Sequence, residues 1–330
     1  MHVPYLETCQ ASADCVIRAT NKNSVPLKQF RCAEPLSPGA RIALIAPAGP
    51  LQKPEELPRA QENARTLGWE PIVGAHATER LGYLAGHDRD RLNDLNRALR
   101  DPKMDGIWCL RGGYGLMRII ESVDYEALSR MPKVIMGYSD VTALHAAVQQ
   151  RCRLVTFHGP TAREVLTDFT RDSFQRAVNR QVDSCGAAPL AREINVGTAS
   201  GRLVGGNLSV LSSLAGTPFA PDLTDSILIL EDVNEPVYRI DRMLQQLKLT
   251  GTLGGCRAIA FGDCTHCPED AGGGGRAFDE VLGELAHALG IPCMAGIPVG
   301  HIPDQWTIPL GAIATLDTGA RTLTVTSYRA

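Results

Sequence analysis

Short apolar runs alternate with amphipathic stretches over the first half of the chain. The runs with the length of a buried strand lie at 41–46, 70–74, 106–110 and 133–136. Helical spacing of apolar side chains predicts helices at 54–67, 88–100, 116–122 and 141–150. Strands that alternate with helices predict an α/β fold, with a parallel sheet covered by helices on both faces.

The pattern changes near residue 195. Buried strands are predicted at 226–230 and 258–261, and amphipathic helices at 238–249 and 277–289. Alternation between 307 and 328 is typical of antiparallel strands. We therefore predict an N-terminal α/β domain at 38–165, a linker at 166–194 and a second α/β domain, richer in antiparallel sheet, at 195–330. Residues 1–37 are polar and irregular, as in disordered extensions.

Composition and charge exclude several classes of function. The 330 residues are 44% hydrophobic and carry a net charge of -3, with no run of basic residues, which argues against a nucleic-acid partner. The apolar runs are strand-sized, so no membrane span is predicted. No signal peptide is recognisable, and a cytoplasmic protein is expected.

Ten cysteines are present without the regular spacing of a disulfide framework, and reduced thiols are expected. The run Cys264-Thr-His-Cys267 is a single C-x-x-C pair. One such pair without a second is weak evidence for zinc, and the sequence favours incidental cysteines and no metal site.

The first candidate for chemistry is Ser139, in Gly137-Tyr-Ser-Asp140, between a predicted strand and a predicted helix. A sharp turn there would expose the hydroxyl of a nucleophile and place a helix N-terminus behind it. The second glycine of the usual Gly-x-Ser-x-Gly pattern is absent. Serine before a helix is more often an N-cap than a nucleophile, so this segment alone favours the cap.

The glycine-rich run Arg111-Gly-Gly-Tyr-Gly115 follows another predicted strand. Its backbone N–H groups could form half of an oxyanion hole or hold a phosphate, and a tight turn without function is equally compatible. The spacing of a dinucleotide-binding fingerprint is missing, which disfavours an oxidoreductase.

Acidic residues follow the apolar run 226–230, and a histidine lies in a Gly/Pro-framed loop at 301. Spacing does not choose among the acids, which are Glu231, Asp232, Glu235 and Asp241. Such residues are usually loop charges or helix N-terminal acids, and a lone loop histidine such as His301 is usually exposed.

Together these segments resemble the LD-carboxypeptidase family, the S66 serine peptidases, which include muramoyltetrapeptide carboxypeptidases and microcin C7 self-immunity proteins. The resemblance covers about 40–328, in family order. The matching runs begin at Ile42 (IALIAPAG), Arg111 (RGGYG), Gly137 (GYSDVTA), Thr156 (TFHGP), Gly205 (GGNLS), Gly216 (GTP), Leu230 (LEDVNEPVYRIDR) and Gly300 (GHIPDQ).

The resemblance implies a Ser139–His301–Glu231 triad, with an oxyanion hole formed by the N–H of Asp140 and one from Gly112 or Gly113. It also implies a flavodoxin- or Rossmann-like N-terminal domain, a swivelling β/β/α C-terminal domain and a homodimer. No cofactor is implied. The implied reaction removes the terminal D-alanine of a murein tetrapeptide across an L,D peptide bond, in peptidoglycan recycling. Further candidates for substrate binding are Arg111, Tyr138, Asn207 and Arg239.

Two rivals remain. A microcin-type immunity peptidase would cleave a peptidyl-nucleotide amide and stack adenine on an aromatic residue of a longer loop. The segment between Ser139 and Glu231 has no tryptophan, although it contains four phenylalanines. A two-domain ligand-binding protein without turnover is the non-enzyme rival, and the presence of all three triad residues argues against it.

Overall fold

A computed structural model describes residues 30–269, 275–326 and 328. The strands, in chain order, are β1 (Arg41–Ile45), β2 (Glu70–Val73), β3 (Gly106–Cys109), β4 (Val134–Gly137), β5 (Thr156–His158), β6 (Gly186–Ala187), β7 (Arg192–Asn195), β8 (Thr198–Asn207), β9 (Ser226–Val233), β10 (Cys256–Thr265), β11 (Cys293–Ala295), β12 (Ile308–Leu310), β13 (Ile313–Asp317) and β14 (Thr322–Val325). The α-helices are α1 (Glu56–Thr66), α2 (Asp88–Arg100), α3 (Tyr125–Arg130), α4 (Thr142–Cys152), α5 (Asp168–Gln175), α6 (Leu208–Leu214), α7 (Val237–Leu249) and α8 (Phe278–Leu289).

The first sheet confirms the predicted parallel arrangement in the N-terminal half. Its order is β12-β5-β4-β3-β1-β2, and β1 to β5 run parallel. The order of these five strands is that of flavodoxin-like folds, in which the site lies at the carboxyl ends of the strands, where the order reverses. The loops after β1, β3 and β4 therefore meet at one edge, and they carry Gly49, Gly112 and Ser139.

The second sheet is mixed, with the order β6-β14-β13-β8-β9-β10-β11-β7. Strands β8 to β11 form a parallel centre, and antiparallel strands flank it. Three strands depart from the predicted domain boundaries. Strand β6 and most of β7 belong to the second sheet but come from the predicted linker 166–194, and β12, from the predicted C-terminal domain, joins the first sheet antiparallel to β5. Apolar alternation identifies a strand but not the edge that it joins.

Two local expectations were wrong. Residues 30–37 of the predicted extension pack into the core, where Cys32 and Leu36 are buried and the Gln181 side chain donates to the Ala33 carbonyl; residues 1–29 lie outside the described residues. The helix predicted at 116–122 is two 3₁₀ turns, Leu116–Arg118 and Ile120–Ser122. No helix of the described ranges is long and apolar enough to cross a membrane.

Helix α4 connects the two halves directly behind Ser139. Its first residue, Thr142, accepts a hydrogen bond from the Asn207 N–H at 3.0 Å. A Cβ added at Gly206 would lie 2.4 Å from the Thr142 hydroxyl, so only glycine permits this approach. The end of β8 is thereby held against the turn that carries Ser139.

Candidate active site

Ser139 occupies a strained turn rather than a cap. Its φ of 63° places a non-glycine residue in the left-handed region, which costs on the order of 1–3 kcal/mol and is commonest at functional sites. The residue opens a 3₁₀ turn, Ser139–Val141, between β4 and α4. The N-cap of α4 is Val141, and no side chain caps either element. The N-cap alternative is therefore excluded, and the geometry is that of a nucleophile elbow.

Gly112 lies directly against Ser139. A Cβ at this position would meet Ser139 Cβ at 2.7 Å and Oγ at 3.0 Å. The Gly112 carbonyl accepts from the Gly49 N–H at 2.9 Å. Because the C=O and N–H of a trans peptide point in opposite directions, the Gly113 N–H is directed away from Gly49. The Gly113 N–H is therefore not used in the contact with Gly49 and is open to another acceptor.

The Asp140 side chain holds the glycine-rich loop to the Ser139 turn. Its carboxylate accepts from the Leu116 N–H at 2.9 Å, and burial raises the pKa of Asp140 to about 6. The sequence suggested only the backbone N–H of this residue. The buried Asp140 carboxylate thus links its own turn to the glycine-rich loop, the two segments from which the resemblance implies an oxyanion hole.

Glu231 and His301 form a pair in which the acid is buried and the imidazole is half-buried. His301 Nδ1 lies 2.8 Å from Glu231 Oε2, and the Glu231 side chain is fully buried in β9. A Cβ at Gly300 would lie 3.3 Å from the same oxygen, so the glycine lets the loop close on the acid. Burial lowers the pKa of His301, but the hydrogen bond and charge of Glu231 outweigh it and leave that pKa above its usual value.

The four candidate acids separate by their contacts. Asp232 accepts from Ser209 and Asn207, Glu235 pairs with Arg239, and Asp241 bonds a neighbouring glutamine of α7. Among them Glu231 is the one whose carboxylate contacts His301.

Tyr138 packs against the His301 ring, with the two ring centroids 4.7 Å apart and the planes tilted by 54°. Because Tyr138 precedes Ser139, this contact brings the Glu231–His301 pair to the turn that carries Ser139. A residue that the sequence did not suggest, Glu164, accepts a hydrogen bond from the Thr161 hydroxyl at 2.8 Å, and its charge contributes to the raised pKa of His301. No recognised motif marks Glu164, which lies just after Thr156-Phe-His-Gly-Pro160.

The four candidates for substrate binding have different surroundings. Asn207 is buried and its amide is occupied on both sides, by Asp232 and by the Val210 N–H, so it has a structural role. Arg239 is an exposed residue whose guanidinium pairs with Glu235. Tyr138 and Arg111 remain at the site.

Similarity to known proteins agrees with this geometry. Residues 42–159 match the LD-carboxypeptidase N-terminal domain, and residues 200–316 match the LD-carboxypeptidase C-terminal domain. The murein tetrapeptide carboxypeptidase of Pseudomonas aeruginosa is 33% identical over 84% of this chain and 93% of its own. The chain belongs to the LD-carboxypeptidase family.

Two other family members show the range of activities. The crystal structure of muramoyltetrapeptide carboxypeptidase from Oxalobacter formigenes superposes with a TM-score of 0.79 at 29% identity, covering 88% of this chain and all of that one. The microcin C7 self-immunity protein MccF of Escherichia coli is 26% identical over 89% of this chain and 95% of its own. Family membership and the names of these relatives support a serine carboxypeptidase.

The protein has an open cavity of about 410 Å³ beside the glycine-rich loop, lined by Gln52, Arg80, Gly82, Tyr83, Arg111, Gly113 and Tyr114. Arg111 and Arg80 donate to the carbonyls of Pro50 and Leu51. No carboxylate of the described part of the chain lies within 4 Å of either guanidinium, as an ion pair would require. Burial and the neighbouring positive charges of Arg163 and Arg80 lower the pKa of Arg111.

Proposed function

We propose that the chain is a serine L,D-carboxypeptidase that releases the terminal D-alanine of murein tetrapeptides. The observation that carries this proposal is the hydrogen-bonded Glu231–His301 pair, in which Glu231 is buried, with Tyr138 packing it beside the strained turn of Ser139. A serine carboxypeptidase needs a nucleophile, a base of suitable pKa and a group that orients the base, and these residues supply all three.

The proposed reaction begins with transfer of the Ser139 proton to His301, while the serine oxygen attacks the carbonyl of the L,D peptide bond. The N–H groups of Asp140 and Gly113 stabilise the oxyanion. His301 then protonates the leaving amine of D-alanine, and water hydrolyses the acyl-enzyme with His301 again as base. Glu231 keeps the imidazole in the required tautomer and stabilises its charged form.

A carboxypeptidase must also recognise a free terminal carboxylate. Arg111 is suited to this task because its guanidinium lies next to Gly112–Gly113 and has no carboxylate partner within the described residues. Arginine binds a carboxylate through two parallel hydrogen bonds, which lysine does not reproduce. We therefore assign the terminal carboxylate to Arg111, assisted by Arg80, and not to Arg239.

The test compares three substrates with the purified protein: an L,D-tetrapeptide, the corresponding D,D-pentapeptide and a peptidyl-nucleotide. Products are identified by mass spectrometry. We expect D-alanine release from the tetrapeptide alone, and its loss in Ser139→Ala with an unchanged melting temperature. Equal release by the Ser139→Ala variant would refute the mechanism. Arg111→Lys should raise KM for the free acid more than for its C-terminal amide.

The peptidyl-nucleotide arm tests the second candidate, which similarity to MccF supports. Stacking of adenine needs an accessible aromatic ring. Of the four phenylalanines between Ser139 and Glu231, three are buried in the core, namely Phe157, Phe174 and Phe219, and Phe169 is 44% exposed. This distribution favours the murein peptide. The expected homodimer stays a prediction, which analytical ultracentrifugation would test.

A further inference from the structure

Cys264 and Cys267 lie at the end of β10, where the chain turns sharply. The Cys267 N–H donates to the Cys264 carbonyl at 3.3 Å, which closes a β-turn over four residues. The Cα atoms at the ends of such a turn are less than about 7 Å apart, and a disulfide requires about 4.4–6.8 Å. The backbone thus already has a span compatible with a bond between the two sulfur atoms.

The side chains have the chemistry of a reactive pair. The neighbouring Cys264 thiol lowers the pKa of Cys267. A stabilised thiolate with a neighbouring thiol is the arrangement that attacks disulfides. Both side chains are partly accessible, whereas the other six described cysteines are buried.

Metal binding is a weaker explanation for the pair. A structural zinc site needs four ligands, and within the described ranges no group of three or more cysteine, histidine or acidic residues could hold a metal ion. The pair therefore differs from the incidental cysteines that the sequence alone favours.

The turn is connected to the loop that carries His301. Thr265, between the two cysteines, has its hydroxyl oxygen 3.3 Å from the His301 carbonyl oxygen and in contact with the Asp263 carboxylate. The Asp263 N–H donates to the Val299 carbonyl at 2.8 Å, two residues before His301. Two hydrogen bonds thus link the turn to the backbone of the His301 loop.

We propose that Cys264 and Cys267 form a reversible thiol–disulfide modification site that lowers catalysis by displacing the His301 loop. The co-reactant is a low-molecular-weight disulfide such as oxidised glutathione. The Cys267 thiolate attacks one of its sulfur atoms, the S–S bond breaks and one thiol leaves. Cys264 loses its proton and attacks the Cys267 sulfur, and the second thiol leaves. Two protein thiols and one disulfide thus give one protein disulfide and two small thiols.

The first measurement is independent of the activity. The reduced full-length protein is incubated with oxidised glutathione and alkylated, and its peptides are mapped by mass spectrometry. We expect a crosslink between Cys264 and Cys267 that dithiothreitol removes. Both cysteines remaining alkylatable, or trapped as mixed disulfides with glutathione, would overturn the proposal.

The second measurement follows D-alanine release before oxidation, after it and after reduction. We expect kcat to fall about tenfold on oxidation, since a displacement of 1 Å at a catalytic group costs about a hundredfold and a smaller one less. The Cys264→Ser/Cys267→Ser double variant should not respond to the oxidant. A Cys9→Ser/Cys15→Ser variant, which removes two thiols outside the described residues, should respond like wild type.

The outcomes distinguish a failure of this proposal from a failure of the proposed function. Of the two measurements, only the activity assay rests on the proposed function. A crosslink with unchanged kcat would overturn the link to His301. Loss of activity in the double variant on oxidation would assign the effect to other thiols. If the untreated protein releases no D-alanine, the proposed function fails, and peptide mapping still decides whether the modification site exists.

Discussion

The substitution Gly112→Ala tests the placement of the glycine-rich loop against Ser139, the proposed nucleophile. The new Cβ would lie 2.7 Å from Ser139 Cβ and 3.0 Å from the Tyr138 carbonyl oxygen. Ordinary contact between carbon atoms requires about 3.5–4.0 Å, so the two loops must separate by about 1 Å. The neighbouring atoms belong to a backbone turn between β4 and α4, which cannot rotate away as a flexible side chain could.

The expected cost follows from that displacement. A misplacement of about 1 Å in a catalytic group lowers the rate by about a hundredfold, and loss of one oxyanion donor lowers kcat by about a hundred- to a thousandfold. We expect kcat for D-alanine release to fall by about a hundredfold or more, with a smaller change in KM, because the terminal carboxylate is assigned to Arg111. Initial rates over a range of tetrapeptide concentrations separate the two constants.

A second glycine provides the matched control. Gly283 lies inside α8, and an added Cβ there would have its nearest neighbour, a methyl of Ile194, at an ordinary 3.8 Å. Gly283→Ala should keep full activity and stabilise the protein by about 0.5–1 kcal/mol, because alanine is the better helix former. Wild-type kcat in Gly112→Ala would refute the close approach of this loop to Ser139.

Three further substitutions test the base and its support. Glu231→Gln should lower kcat by about a thousand- to ten-thousandfold, and it should move the acid limb of the pH–rate profile to lower pH, because the base must be neutral and Glu231 holds the pKa of His301 above its usual value. Glu164→Gln should shift the same limb in the same direction by less, and an unchanged limb would remove Glu164 from the electrostatics of the site. Thr142→Val should cost about 1–3 kcal/mol of unfolding free energy in urea, since the buried Asn207 N–H loses its acceptor, and an unchanged midpoint would contradict that role.

The elements of the first sheet were predictable because each strand is a short apolar run, and the structure has strands β1 to β4 within one or two residues of those runs. The order of the strands was not readable from the runs, because periodicity reports burial and not neighbours. Strand β12 shows the difficulty: Ile308–Leu310 is separated from β5 by about 150 residues of chain, yet the two pair antiparallel in one sheet.

The residues of the candidate site were likewise predictable from the sequence only in part. Ser139 could be proposed from its place between a strand and a helix, but only the backbone φ and the absence of a capping bond in the described turn distinguish an elbow from a cap. The role of the Asp140 carboxylate depends on its contact with the Leu116 N–H, 24 residues away in the chain. The role of Glu164 depends on a turn that no sequence motif marks. Such contacts leave no periodic signal.

The choice of Glu231 over its neighbour Asp232 has a physical reason that spacing does not contain. Successive residues of a strand point to opposite faces, so the two carboxylates cannot serve the same partner. Asp232 accepts from the Ser209 N–H and hydroxyl, the Asn207 side chain and the Val233 N–H. Four donors satisfy its charge, and this carboxylate holds the start of α6 in place.

Glu231, in contrast to Asp232, accepts few hydrogen bonds. Oε2 accepts from His301, and Oε1 is buried without a hydrogen-bond partner among the described residues. A buried carboxylate with so few donors is costly unless a positive charge lies beside it. In the proposed mechanism that charge appears when His301 takes the Ser139 proton, so the interaction would strengthen as the transition state forms. If the proposed mechanism holds, Glu231, which accepts few hydrogen bonds, stabilises the reaction, whereas Asp232, whose charge four donors satisfy, stabilises the fold.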